Sequence, residues 1–122
     1  VWGERAAQHI LQELPTTPPP VAAALPPWRD EGGESADPTL ISQDMASIKQ
    51  LMWNYVGLVR TTPRLARALR DLGKLDLEIE QFYRKTRLSD ELLGLRNAVR
   101  AALIVTNAAW QNKQSMGCHW RE

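Results

Sequence analysis

Apolar residues recur at helical spacing along three long stretches, and each stretch ends at a proline, a glycine or a capping residue. The first runs from about Ser42 to Arg60. Ile48, Leu51, Met52, Tyr55, Val56 and Val59 fall at i, i+3, i+4 spacing, while Lys49, Gln50, Asn54 and Arg60 hold the opposite, polar side. The second opens at Thr62-Pro63. Thr is a good N-cap acceptor, and proline suits the first helical position because its missing N–H would be unpaired there anyway. Leu65, Leu69, Leu72, Ile79 and Phe82 carry a buried stripe to about Lys85. Gly73 weakens this helix by about 1 kcal/mol relative to alanine. The third opens at Ser89 as N-cap, with Asp90 and Glu91 complementing the helix dipole in the first turn. Leu92, Leu95, Val99, Ala102, Leu103 and Ala109 extend it to about Gln114, and Gly117 is the expected left-handed terminator. The connections at 61–62 and 86–88 are short, which favours antiparallel neighbours.

Two further zones precede these helices. Ala6, Ala7, Ile10, Leu11 and Leu14 predict a short helix over residues 2–14, ended by Pro15. Residues 15–39 read as a linker: six of the eight prolines lie between Pro15 and Pro27, and Gly32-Gly33-Glu34-Ser35 follows. Proline fixes φ and removes donors, so an extended, polyproline-like segment rising about 3.1 Å per residue is expected. An SH3 or WW ligand is one reading of this arm. A surface connection between two packed bodies, pinned by Leu25 and Trp28, is the preferred one. No strand-like alternation and no repeat stands out. The expected fold is all-α: an up-down three-helix bundle over residues 40–122, preceded by a short helix (1–14) and a Pro/Gly-rich linker (15–39).

A chain of 122 residues makes one domain or less. Fifteen Lys and Arg against fourteen Asp and Glu give a net charge of +1, which argues against nucleic acid or an anionic membrane as partner. No apolar run reaches membrane-spanning length. Val1-Trp2-Gly3-Glu4-Arg5 is no signal peptide, and the missing initiator Met is what a fragment or processed product would show. The single Cys118 excludes an internal disulfide and a Cys-based zinc cluster, and suits a reducing cytoplasm.

The chemistry on offer is thin. Arg60, Arg64, Arg67 and Arg70 form a basic stripe, but Asp71, Asp76, Glu78 and Glu80 lie directly downstream, so a solvated or domain-facing helix side is favoured over a phosphate track. Those acids, with Asp90 and Glu91, are spread around their helices and read as ion-pair partners or caps, not as a convergent acid–base pair. His9 and His119 are too few for a metal site without carboxylate help. Cys118 and His119 are adjacent, so in an extended tail they point to opposite sides; a histidine bonded to a carbonyl is preferred over a nucleophile–base pair. Trp2, Trp28 and Trp120 lie outside the three helices and suggest a surface for a neighbour. No glycine-rich dinucleotide loop, Walker loop or nucleophile elbow is present.

Four segments together carry a family resemblance. Val1-Trp2-Gly3-Glu4-Arg5-Ala6-Ala7, Leu51-Met52-Trp53-Asn54-Tyr55-Val56-Gly57-Leu58-Val59-Arg60-Thr61, Leu92-Leu93-Gly94-Leu95-Arg96-Asn97 and the tail Gln114-Ser115-Met116-Gly117-Cys118-His119 resemble the C-terminal region of the L-aspartate oxidase family. These are flavoenzymes related to the succinate dehydrogenase and fumarate reductase flavoproteins. The second segment is the most specific, because helix periodicity requires neither Trp53 nor Gly57. The tail departs from the family's Glu-Ser-Arg-Gly-x-His at Gln114 and Met116.

The resemblance implies a parent that uses FAD to oxidise L-aspartate to iminoaspartate, feeding quinolinate and NAD biosynthesis. Residues 1–14 would be the terminal helix of its FAD-binding domain, and residues 40–122 its C-terminal helical domain. The family's flavin-contacting and substrate-binding residues lie upstream and map onto nothing here. The chain is therefore expected to bind no FAD and to turn over nothing alone, with the upstream FAD-binding and substrate-capping domains as its partners. Homo-oligomerisation through the bundle stays open. Arg60, Arg96, Asn97 and His119 are the candidates for structural or interdomain contacts. A succinate dehydrogenase or fumarate reductase flavoprotein tail, and a free-standing helical interaction module, are the rival readings.

Overall fold

The computed structural model describes residues 1–19, 21, 25 and 32–122. In chain order these form α1 (Trp2–Glu13), α2 (Pro38–Tyr55), β1 (Val59–Arg60), α3 (Thr62–Lys85), α4 (Asp90–Gln111) and β2 (Trp120–Arg121). The fold is all-α apart from the two short strands, and α2, α3 and α4 each pack on the other two.

The start of α2 corrects the expected boundary. Asp37 is extended and accepts from Thr39 N–H at 2.8 Å, and Pro38 occupies the first helical position. The linker was expected to run to residue 39 and the helix to start near Ser42; here Pro38 begins the helix, because its φ is already helical. The other end is shorter than expected. The Arg60 Nε donates to the carbonyls of Gly57 at 2.8 Å and Val56 at 3.3 Å, groups that a helix end leaves without partners. Val59 and Arg60 thus leave the helix, and Arg60 does not lie on a polar outer face.

The caps of the other two helices follow the expected chemistry. Thr61, one residue before the expected position, accepts from Arg64 N–H, and Ser89 accepts from Leu92 N–H at 3.3 Å. The core is built from Ile48 and Val56 of α2 and its cap, Leu65, Ala68, Leu72 and Ile79 of α3, and Leu92, Leu95, Val99, Ala102 and Ala109 of α4. Leu69 and Phe82, assigned to the buried stripe, are only half-buried. Each fully buried leucine contributes roughly 1.5–3 kcal/mol of transfer free energy. Thr106 is buried among them, and its hydroxyl is satisfied by donating to the Ala102 carbonyl at 2.7 Å.

Helix α1 has no buried residue, and Trp2, Ile10, Leu11 and Leu14 are exposed. Within the expected linker, Leu25 is exposed, and Trp28 lies outside the described residues. The linker's end is tied down. Glu34 N–H donates to the Lys85 carbonyl at 3.2 Å, and Arg87 N–H to the Glu34 carbonyl at 2.8 Å. Gly32 approaches Thr86 so closely that a Cβ there would meet the Thr86 oxygen at 2.1 Å.

The tail also corrects the sequence reading. Helix α4 ends at Gln111, before Gln114, and Gly117 does not cap it. Gly117, at φ 57°, instead makes the tight turn in which Met116 and His119 exchange backbone hydrogen bonds of 2.9 and 3.0 Å. The chain then pairs β2 with β1 in parallel, Val59 opposite Trp120 and Arg60 opposite Arg121. Strands of two residues have no alternation to detect.

Candidate functional site

The β1–β2 pair brings Arg60 and His119 together. Arg60 Nη1 lies 2.7 Å from His119 Nδ1, and His119 Nε2 lies 3.0 Å from the Asn112 carbonyl oxygen. A guanidinium can only donate, so Nδ1 accepts and the ring proton sits on Nε2, where it donates to Asn112. The same inner face carries Arg121, whose Nη2 donates to Thr62 Oγ1 at 3.1 Å and whose backbone N–H donates to Ser115 Oγ at 3.0 Å. This is a clasp: the residues after α4 are folded back and tied to the end of α2 and the start of α3. Cys118 is exposed, and both ring nitrogens of His119 are engaged by Arg60 and Asn112 instead of by its thiol.

Arg96 belongs to a different cluster. Its Nε donates to Glu80 Oε2 at 2.8 Å, Arg100 Nη2 to the same oxygen at 2.9 Å, and Arg84 Nε to Oε1 at 3.3 Å. The Arg96 guanidinium also stacks 4.2 Å from the Tyr83 ring centroid. The Arg96 hydrogen bond holds the Glu80 carboxyl below its ordinary value, and the same bond raises Arg96. A carboxylate so held stays ionised and cannot act as a general acid near neutral pH. It locks α3 to α4. Asn97 is exposed on α4. Of the four residues singled out in the sequence, the fold therefore unites Arg60 with His119 and places Arg96 and Asn97 elsewhere.

Sequence reasoning missed the anchoring roles of Asn112, Ser115 and Arg121, and it did not single out Glu80 as the hub. One signal was available: Glu80–Arg84 and Arg96–Arg100 are both i, i+4 pairs, so each pair shares a helix face. The arginine stripe, in turn, is broken. Arg60 is turned into the clasp, while Arg64, Arg67 and Arg70, the last bound to Asp71 at 2.9 Å, lie beside Tyr55 at a shallow groove of about 340 Å³.

A larger groove of about 800 Å³ lies where α2 and α4 begin, lined by Pro38, Ile41, Met45, Leu88, Glu91 and Gly94 among others. A helix N-terminus with open N–H groups is a ready-made site for a dinucleotide's pyrophosphate, and the α2 end of this groove does not offer one. Pro38 has none, Asp37 already occupies the Thr39 N–H, and Glu91 sets a carboxylate on the rim. Among the described residues no group of His, Cys, Asp and Glu could hold a metal ion, and no helix is long and apolar enough to cross a membrane.

Residues 45–122 match the family model described as fumarate reductase flavoprotein C-term. The chain is 40% identical over 121 residues to an L-aspartate oxidase of Yersinia pestis, covering 98% of the chain and 22% of that relative. It is 40% identical over 127 residues to an L-aspartate oxidase of Acinetobacter baylyi and 38% over 121 residues to L-aspartate oxidase 1 of Ralstonia nicotianae, again over 98% of the chain and 22% of each relative. The chain thus spans about a fifth of the length of the curated relatives it matches.

Proposed function

The chain belongs to the fumarate reductase flavoprotein C-terminal family, and from that premise we propose that it is the C-terminal helical domain of an FAD-dependent L-aspartate oxidase. The observation that carries this reading is the alignment of 98% of the chain, at 40% identity, with relatives named for that activity. The parent polypeptide oxidises L-aspartate to iminoaspartate, with FAD taking the hydride, and so opens a route to NAD. A reducing compartment such as the cytoplasm suits the lone, exposed Cys118.

This domain's share of the work is mechanical. Flavin and substrate sit on the upstream part of the polypeptide, with residues 1–14 belonging to that part and residues 15–39 acting as the connection. The Arg60–His119 clasp ties the tail to the end of α2, and the Glu80 cluster ties α3 to α4. Helices tied in this way support the wall of an active site built elsewhere. Asn97, exposed on α4, faces the neighbouring domain.

The test is turnover by the full-length polypeptide loaded with FAD. Hydrogen peroxide released on adding L-aspartate, and none on adding succinate, supports the proposal. Oxidation of succinate instead would assign the domain to a succinate dehydrogenase or fumarate reductase flavoprotein, and the absence of any flavin in the full-length protein would overturn both.

A further inference from the structure

The His119 ring is held in one protonation state by what surrounds it. Nδ1 accepts from Arg60 Nη1 at 2.7 Å, and Nε2 donates to the Asn112 carbonyl at 3.0 Å. A proton on Nδ1 would remove the lone pair that meets the guanidinium. It would also set an imidazolium against a cation at hydrogen-bond distance. Nε2 offers no alternative, because it already carries a proton. The closed clasp takes a neutral ring and disfavours a charged one.

The neighbouring elements bring no charge to offset that proton. At the end of α2, the Val56 and Gly57 carbonyls are both taken by Arg60 Nε. From α3, Thr62 brings a neutral hydroxyl that accepts from Arg121, together with the positive end of the helix dipole. From β2, Arg121 brings a second guanidinium, and its Nη1 is buried without a partner. After α4, Ser115 offers a hydroxyl to the Arg121 backbone, Cys118 is an exposed thiol, and Lys113 lies over the Trp110 ring. Among the described residues no carboxylate forms an ion pair with Arg60, Arg121 or His119, and Glu122, just past β2, is exposed.

We infer that the clasp is an acid-sensitive latch: protonation of His119 releases the C-terminal tail from the ends of α2 and α3 while the three-helix core stays folded. The β1–β2 pairing goes with the ring, because a two-stranded ribbon is marginal in water without support. Linkage sets the size of the effect. In the open tail the ring titrates as an ordinary histidine, at about 6.5, so at pH 5.5 roughly ten open tails in eleven hold the proton. The closed tail does not, so the open population rises about tenfold as pH falls from 7.5 to 5.5. The Glu80 carboxyl, held below its ordinary value by Arg96, stays ionised over this range and keeps α3 tied to α4. The latch is a property of this chain, whatever the parent polypeptide oxidises.

Amide protection factors of Trp120 and Glu122, which donate to the Leu58 and Arg60 carbonyls, test this in the 122-residue chain between pH 7.5 and 5.5. A fall of about tenfold is expected, with Leu95 and Val99 in the core of α4 unchanged. His119→Asn keeps an acceptor oxygen near the place of Nδ1 and does not titrate here, so its tail protection should not vary with pH. His9→Asn alters the other histidine, an exposed residue beside Glu13 on α1, and should keep the wild-type response. Tail protection that stays constant down to pH 5.5 in the wild type overturns the inference. So does a loss shared equally by Leu95 and Val99. Should His119→Asn leave the tail unprotected at every pH, nitrogen-15 spectra of the wild-type ring decide. An imidazolium that appears in step with tail exchange supports the latch, and an imidazolium inside a protected tail overturns it.

Discussion

Arg60 Nη1 and His119 Nδ1 lie 2.7 Å apart although 59 positions separate them in the chain. Together with the backbone pairing of β1 and β2, this bond closes the loop between the end of α2 and the C-terminal tail. Both partners are otherwise engaged with backbone carbonyls, Arg60 with Val56 and Gly57, His119 with Asn112. Neither ring nor guanidinium can move without releasing a helix-end carbonyl.

His119→Ala should therefore loosen the tail without unfolding the bundle. The loss of two hydrogen bonds predicts a cost of about 1–3 kcal/mol, with exchange of the Trp120 and Glu122 amides rising more than that of the α3 and α4 core. Nitrogen-15 NMR of the wild-type ring should show the proton on Nε2. A proton on Nδ1 at neutral pH would contradict the clasp.

Glu80→Gln should cost about 1–2 kcal/mol, since the carboxylate is about a quarter exposed and three arginines share it. Because the folded carboxyl is held below its usual 4.5, its contribution is present in full above that pH and is lost as pH falls through the lower folded value. Chemical denaturation between neutral pH and pH 3 should accordingly show a smaller acid loss of stability for the variant than for the wild type.

Gly32→Ala places a methyl group where the Thr86 carbonyl oxygen stands. The paired bonds between Glu34 and residues 85–87 should break, so the amides of Glu34 and Arg87 should lose protection. Gly33→Ala, where a Cβ meets nothing within 4 Å, should not do this. Equal exchange in both variants would contradict the close approach.

Leu95→Ala should destabilise the chain by about 2–5 kcal/mol, because its side chain is wholly buried. Ile104→Ala, on the same helix but 70% exposed, should change stability by no more than about 0.5 kcal/mol in the 122-residue chain. Urea unfolding of the two variants side by side checks the orientation of α4.

The helices were legible where local chemistry and tertiary packing agree. Ser89 followed by Asp90 and Glu91 marks the start of α4 because the cap and the dipole are local effects, and Leu92, Leu95 and Val99 repeat at helical spacing because one face is buried. Where the cause is distant, the sequence misleads. Pro38 is a helix breaker by composition and a helix starter by position, and only Asp37's bond to Thr39 decides which. Arg60 continues the polar face of α2 by periodicity, yet its guanidinium turns back onto the carbonyls of that helix and toward His119. Gly117 was correctly expected to be left-handed, but it serves a turn six residues beyond the end of α4. As for the candidate site, the family resemblance drew attention to Arg60, Arg96 and His119. The pairing of the first with the last, and the role of Glu80 beside Arg96, needed coordinates because no periodic pattern encodes a contact across 59 or 16 positions.

The division of labour between domains is tested most directly by titrating FAD into the 122-residue chain and into the apo form of the full-length polypeptide, followed by flavin fluorescence. Saturable binding by the full-length protein and none by the 122-residue chain is expected. Tight, stoichiometric uptake of FAD by the 122-residue chain would contradict it.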